Sequence, residues 1–585
     1  MQAYSLCRLY VVLYSLHGLY SYTELQLIGK TGGVRMQDDE NVKNPDNIIE
    51  IPEDAFTSKE SREKAGFTSS LGAQKPPKSR NRAVVCLIAA ASVLSLMCGY
   101  ILFDSKDLLQ NRDFIQSRMA IKNNKSLQEL SSPKPKKIAH YASLIKQLDK
   151  NKPVDKAAAE KVLQTFLENP ALGPNAAAVI ADANGKIIAA KNEDLALQPA
   201  STMKTLTALA ASHTLDMAST LDTLVYASCD EGGSVARIVL RGGGDMLLGA
   251  GQSDPNHVNG RAGLETLANK TAAALKKRGV KIVQFAVDDS LFGAKRYPEL
   301  INENDEEGRF YAPTSSVAVD EGRNRDFAAW VSYGNDADDT DDYPLLDRHP
   351  AVSTGLIFAN LLQKSGIDVR EWKGDSAKIA KAAKVSGADS MHVSYKKSLI
   401  SADFSQIARV CSAPLSEIMA YMLRHSDNSL AEEFGRLTAL AMRKSNSPKG
   451  ATLAVQDVLR DLGIDINGLH MSDCSGLSPK SAVRAITLIQ VQAQNLKEGI
   501  GAAAAEGLAL PGVWCTSAKK RLVDKSAAGL MRVKTGFLGD VSSMVGNVSR
   551  KSGGALTFAV VVNPPGDVNY TYVGVNKMMA ELTNL

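Results

Sequence analysis

Residues 83–103, "AVVCLIAAASVLSLMCGYILF", run for 21 positions without a charge. That is the length a helix needs to cross about 30 Å of hydrocarbon, and in a helix one segment satisfies its own backbone there. The run therefore divides the chain. Lys75, Lys78, Arg80 and Arg82 stand just before it, and basic residues mark the flank that stays in the cytoplasm. The expectation is a single-pass anchor in the cell membrane, with the N-terminus cytoplasmic and the rest extracytoplasmic. A cleaved signal peptide is the alternative. The run is long for one, and no small-x-small cleavage pattern stands near residue 103.

Residues 1–82 read as a cytoplasmic disordered tail. Positions 37–64 hold nine acidic and four basic residues, a composition too polar to bury a core. The apolar "LYVVLYSLHGLY" near the start is short, and Met36 is the expected translation start; N-terminal sequencing of the natural protein tests this. Residues 104–160 are polar and lysine-rich and read as a stalk. A chain of 585 residues is too long for one compact unit. Its net charge of +5, from 68 Lys+Arg against 63 Asp+Glu, is weak for a nucleic-acid binder, and no basic face is interleaved with aromatics. The seven cysteines show no zinc spacing, and no metal or organic cofactor is implied. Cys229, Cys411, Cys474 and Cys515 lie beyond the anchor, and their pairing is left open.

The folded part begins near residue 176. In "AAAVIADANGKIIAAKN" two apolar runs flank Asn184-Gly185, a hairpin signal because both turn residues tolerate positive φ. In "LQPASTMKTLTALAAS", Met203, Leu206, Leu209 and Ala210 recur at helical spacing, which puts Ser201 near the first turn of a buried helix. Helices are expected over 415–424 and 428–442. The end of the chain holds three β-type runs, "LMRVKTGF", "SSMVGNVS" and "ALTFAVVVN", joined by glycine-containing turns. The hairpin and this meander can form one five-stranded antiparallel sheet flanked by helices, an α+β fold. The acidic run 335–342 lacks the central Gly and closing Glu of a calcium loop and reads as a solvated surface loop.

Ser201-Thr202-Met203-Lys204 is a Ser-x-x-Lys tetrad. Three residues apart on a helix, Lys204 can reach the Ser201 hydroxyl. A serine attacks only when a base takes its proton, and a lysine is such a base only when burial or a cation disfavours its charge. Alone the tetrad means little, since Ser61…Lys64, Ser143…Lys146 and Ser517…Lys520 share it. Two companions change that. Ser426-Asp427-Asn428 opens a helix; these residues make good N-caps, and they can also relay a proton and bind a substrate backbone. Lys534-Thr535-Gly536 sits on a strand, where it offers a cation, a hydroxyl and room for a peptide to pair along the edge. A second triplet, Lys30-Thr31-Gly32, precedes the anchor and both partners, and has no P-loop glycine at Glu24.

The order Ser-x-x-Lys, Ser-x-Asn, Lys-Thr-Gly, each on its own kind of element, resembles the penicillin-binding protein and serine β-lactamase superfamily. Ser426 follows Ser201 by 225 residues. That gap resembles the class C low-molecular-mass penicillin-binding proteins, the D-alanyl-D-alanine carboxypeptidase/endopeptidase family of peptidases (S13). So do "LRGGGDMLL" (240–248), "VDDSLFG" (287–293) and "SDCSGLSPKSAV". The resemblance covers about residues 175–580. It implies a serine DD-peptidase fold with a large inserted region: first catalytic part 161–220, insertion 221–395, second catalytic part 396–585.

By that resemblance Ser201 is the nucleophile and Lys204 its base. Ser426 and Asn428 serve proton transfer and substrate binding, and Lys534 and Thr535 hold the substrate carboxylate. The backbone N–H groups of Ser201 and Phe537, the residue after Gly536, form the oxyanion hole. Asp245 is expected to contact an amine of the peptide side chain. The implied partners are peptidoglycan stem peptides, with β-lactams as inhibitors. The chain departs from the family at Phe537, where Thr is usual, and at "YAPTSSVAVDEGR" and "LPGVWCTSAKKRL". The alternatives are a β-lactamase or esterase on the same fold, which rapid nitrocefin turnover would reveal, and a wall-binding protein with weak or no catalysis.

Overall fold

A computed structural model describes residues 149, 151–229, 235–332, 335–339, 343–372, 391–497, 499, 501–512 and 524–585. The expected tail, the anchor and all but the end of the stalk lie outside these residues. Among the described residues no helix is long and apolar enough to cross a membrane.

Helix α1 (Lys156–Leu167) starts at Asp155, whose side chain accepts the Ala158 N–H. Ala159, Leu163 and Phe166 recur on one face and are buried. Residues 156–160, read as stalk, are therefore part of the folded unit. Strands β1 (Ala176–Asp182) and β2 (Ile187–Lys191) pair antiparallel. Their turn is longer than the expected two-residue form. Within it Gly185 takes positive φ and Asn184 does not, and the Asp182 carboxylate accepts the N–H groups of Asn184 and Lys186. A 3-10 turn, Ala200–Met203, then leads into α2 (Lys204–Thr214).

The insertion builds its own mixed sheet from β3 (Thr220–Cys229), β4 (Val235–Gly242), β5 (Ile282–Asp288), β6 (Asp368–Glu371), β7 (Val393–Ser394) and β8 (Ser405–Pro414). The order is β7-β5-β4-β3-β8, with β6 also on β5. β4 and β5 run parallel, and helix α3 (Leu264–Lys277) lies between them in sequence. It packs with α4 (Pro350–Lys364) on the sheet around Ile238, Leu240, Leu267, Phe285, Phe358 and Leu362. The sequence reading ended the insertion at residue 395. β8 pairs with β3, Arg409 opposite Leu224, so the inserted sheet runs to Pro414; its partner strand is too far upstream for local periodicity to reveal.

The chain then forms α5 (Leu415–His425), α6 (Asn428–Ala441), α7 (Pro448–Asp461) and α8 (Ala485–Asn495). The meander follows as β9 (Met531–Leu538), β10 (Val541–Ser549) and β11 (Ala555–Val562), and then α9 (Val568–Leu582). The expected five-stranded sheet has the order β9-β10-β11-β1-β2, antiparallel throughout. Alternation along β11 sends Phe558 and Val560 into one core, with α1 and α9, and Ala559 and Val561 into the other, with α2, α7 and α8. A further cluster, including Leu221, Met246, Leu247, Ile418, Met419 and Phe434, seats the insertion on α5 and α6.

Candidate active site

The 3-10 turn places residues i and i+3 over one another. Lys204 Nζ lies 2.8 Å from Ser201 Oγ. It also donates to Asn428 Oδ1 at 2.7 Å and to the Ser475 carbonyl at 3.1 Å. Burial pushes the Lys204 pKa down to about 7, while Asp473 and Asp427 pull the other way. A substantial share of this amine is thus neutral near neutrality, with a lone pair available to take a proton.

Ala200, beside Ser201, holds left-handed backbone at φ 47°, and so do Ser426 at φ 59°, Glu321 at φ 55° and Tyr343 at φ 38° in the cavity lining, a strain typical of functional sites. Ser426 closes α5. Asp427 is the actual N-cap of α6, accepting the Leu430 N–H at 2.9 Å, so the capping and chemical readings of Ser-Asp-Asn fall on different residues. Lys534 Nζ donates to Ser426 Oγ at 2.9 Å and to the Thr535 carbonyl at 2.7 Å.

Gly536 lets the edge strand touch the Ser201 turn. A Cβ there would meet Ser543 Oγ, lie 2.7 Å from the Pro199 carbonyl and 3.1 Å from the Ser201 nitrogen. On the outer edge of β9, Val533 exchanges both backbone bonds with Ala509. The two-residue period turns the main chain of Thr535 and Phe537 to that same edge. The Phe537 side chain is 59% exposed, so its bulk does not displace its backbone.

Ser201, Ser426, Asn428, Thr535 and Phe537 line one cavity of about 670 Å³. Its far wall was not foreseen. Asn304, Arg309, Phe310, Tyr343 and Leu346 come from the insertion, and Asn569 and Tyr572 from α9. The loop 304–312 is built on Asp305, whose carboxylate accepts the N–H groups of Arg309, Phe310 and Tyr311. It is tied to the site at three points: Asn304 to the Leu477 carbonyl at 2.7 Å, the Phe310 carbonyl to Asn428 Nδ2 at 2.8 Å, and the Ala312 N–H to Ser429 Oγ at 3.0 Å. The local signal was an acid ahead of a Gly-containing turn, "DEEGRF".

Arg323 and Glu321 also line the cavity. Arg323 pairs with Glu321 at 2.5 Å, Asp320 at 3.1 Å and Asp427 at 3.5 Å. Burial and the Asp427 charge raise the Glu321 carboxyl well above its ordinary range. His425, half-buried beside them, is pushed down to about 4, mainly by desolvation.

Asp245 is not brought to this site. It opens a short strand, Asp245–Leu248, is 1% exposed, and its carboxylate accepts the Leu247 N–H. It is absent from the cavity lining, and burial raises its pKa to about 7. A carboxyl so enclosed cannot meet a substrate amine. Ser475 was likewise missed as a site residue, because it acts through its carbonyl. Cys229, Cys411 and Cys474 are free thiols, and Cys515 lies outside the described residues.

Comparison with known proteins agrees with this geometry. The family model for D-Ala-D-Ala carboxypeptidase 3 (S13) matches residues 159–337 and 350–582. Carboxypeptidase DacB of Mycolicibacterium smegmatis is 30% identical over 419 residues, covering 70% of this chain and 81% of that protein. The D-alanyl-D-alanine carboxypeptidase of an Actinomadura species is 25% identical over 466 residues, 68% of this chain and 80% of its own. The fold is that of penicillin-binding protein 4 from Haemophilus influenzae, with a TM-score of 0.56 at 20% identity over 74% of this chain and all of that one. With the Ser201–Lys204 pair, the Ser-Asp-Asn turn and the Lys-Thr-Gly edge strand converging on one cavity, the chain belongs to the S13 family of D-Ala-D-Ala carboxypeptidases.

Proposed function

We propose that this enzyme cleaves the D-Ala-D-Ala bond of peptidoglycan stem peptides, as carboxypeptidase or endopeptidase, through an acyl-enzyme on Ser201. The observation that carries the reading is the buried Lys204 amine 2.8 Å from Ser201 Oγ. Ser201 Oγ attacks the carbonyl of the penultimate D-Ala as its proton passes to neutral Lys204. The oxyanion develops toward the N–H groups of Ser201 and Phe537. The C–N bond breaks as the leaving amine takes a proton through Ser426, held by Lys534. Water then hydrolyses the ester. Lys534 and Thr535 receive the substrate's carboxylate, and Asn428 its backbone. A β-lactam would follow the same first steps, but its ring nitrogen stays tethered and the ester persists.

The 21 uncharged residues at 83–103 and the basic residues before them support a single-pass anchor, with this domain on the extracytoplasmic side. A protease-protection assay on membrane vesicles tests that placement. Labelling with a fluorescent penicillin tests the chemistry. Wild type is labelled and Ser201→Ala is not; labelling that survives the substitution refutes the nucleophile.

A further inference from the structure

Lys204 has three polar partners, and two of them are not fixed by Ser201. Asn428 Oδ1 comes from the first residue of α6, and the Ser475 carbonyl from the loop 473–478. A neutral amine has two N–H bonds and one lone pair. If both N–H bonds go to Asn428 and Ser475, the lone pair faces the Ser201 hydroxyl. What places Ser475 therefore aims the base.

Helix α6 does this along one face. Asn428, Glu432, Gly435 and Arg436 stand at i, i+4, i+7 and i+8. Glu432 Oε2 accepts the Cys474 N–H at 3.2 Å, one residue before Ser475. A Cβ at Gly435 would collide with Cys474 Sγ, so helix and loop are in direct contact. Glu432 Oε1 accepts Arg436 Nε at 3.1 Å, both side chains being wholly buried. Arg436 also reaches the insertion, with Nη1 to the Phe292 carbonyl at 3.2 Å and Nη2 to the Lys295 carbonyl at 2.6 Å, while Nη1 donates as well to Asn446 Oδ1 at 3.5 Å. From the other side Thr207, less than one turn beyond Lys204, donates to the Cys474 carbonyl at 2.7 Å. Asp473 stiffens the loop by accepting the N–H groups of Ser475, Gly476 and Ser478.

A buried ion pair is a poor source of stability, because desolvating two charges offsets their attraction. Here it has a geometric use. We propose that Glu432 and Arg436 are positioning residues for the general base: they anchor the 473–478 loop to α6 and the insertion so that the Ser475 carbonyl orients Lys204 toward Ser201. This rests on the acyl-enzyme reading above. It also gives the insertion a second task besides walling the cavity, since its Phe292 and Lys295 carbonyls hold the far end of the chain of contacts. The charged groups acting on Lys204 are Asp473 in the loop and Asp427 at the head of α6; the Lys534 amine on β9 is held by Ser426.

The test is the acylation kinetics of a chromogenic penicillin, with binding and acylation resolved by stopped flow at a series of pH values. Arg436→Met keeps the volume but releases the anchor. The expected result is a maximal acylation rate roughly 10- to 100-fold lower, with penicillin affinity within about threefold of wild type. The acidic limb of the rate profile moves to higher pH, because a loosened loop admits water to Lys204 and lessens its desolvation. Arg436→Lys, which can still pair with Glu432, restores part of the rate. Glu432→Gln is near isosteric and gives a smaller change in the same direction. A variant that merely melts earlier while keeping the wild-type rate and limb overturns the proposal. If Arg436→Met does not fold, Glu432→Gln decides by the same two readouts. Failure of wild type to be acylated would instead refute the acyl-enzyme reading on which the inference stands.

Discussion

The two sheets of this molecule contribute to the cavity in different ways. The five-stranded sheet supplies Thr535 and Phe537 directly from its edge strand and presses Gly536 against the Ser201 turn. The six-stranded sheet of the insertion sends no strand residue into the cavity among the described residues; its share comes from the loop 304–312 and from residues 321–323 and 343–346. Both sheets bury comparable apolar layers. The difference matches the tasks. A proton transfer tolerates little misplacement and is built on helix starts and strands, whereas a wall that selects a substrate can be carried by loops on a rigid support.

That contrast can be broken in four places. The largest effect is expected at Lys204. Lys204→Ala should lower acylation by roughly 10²- to 10⁴-fold, measured as the rate of penicillin labelling. In the wild type, protonation of Lys204 removes the base, so the rate should fall as pH drops through about 7. A rate unchanged below that point would assign the base elsewhere. In the core under the insertion's sheet, Phe358→Ala on α4 empties a fully buried site. It should cost about 3–5 kcal/mol of stability, read by denaturant melting, while the folded fraction still acylates at close to the wild-type rate. A large rate loss would mean that the insertion's core is coupled to the chemistry.

A smaller effect is expected at the joint between the two regions. Asp305→Ala frees three backbone N–H groups of the loop. Peptide affinity should weaken several-fold with the maximal acylation rate within about threefold, since the loop forms the wall and not the base. The smallest is at Asp245. Asp245→Asn should leave peptide affinity unchanged, because the carboxyl is buried outside the cavity. It should instead alter stability. The folded pKa of about 7 lies above the ordinary 3.8, so folded protein holds this proton more tightly. Wild-type stability from this group is greatest below about 3.8 and declines as pH rises to about 7. The Asn variant should lose that slope in a series of melting temperatures.

The strands and helices around the site were legible because their signals are local. Alternation in "ALTFAVVV", helical spacing after Pro199 and the three short motifs each sit within one element. Asp245 was misplaced for the converse reason. A Gly-Gly-Asp run says that a turn is near, but not whether the side chain faces a cleft or, as here, is buried away from it. The hairpin turn was read as two residues because the capping of Asn184 and Lys186 by Asp182 has no periodic trace.

From order and spacing, then, the chain specifies its class of chemistry, its α+β fold and a candidate nucleophile, because those depend on residue type along single elements. Which groups surround Ser201 depends on distance through space. Lys204 meets Ser475 across 271 positions and Lys534 meets Ser426 across 108. The first depends on a carbonyl and on burial that no motif displays, and the second joins two motifs whose distance apart in space no spacing gives. Packing buries Lys204 and so lowers its pKa to about 7, the condition a lysine must meet to serve as a base, and only the tertiary structure supplies it.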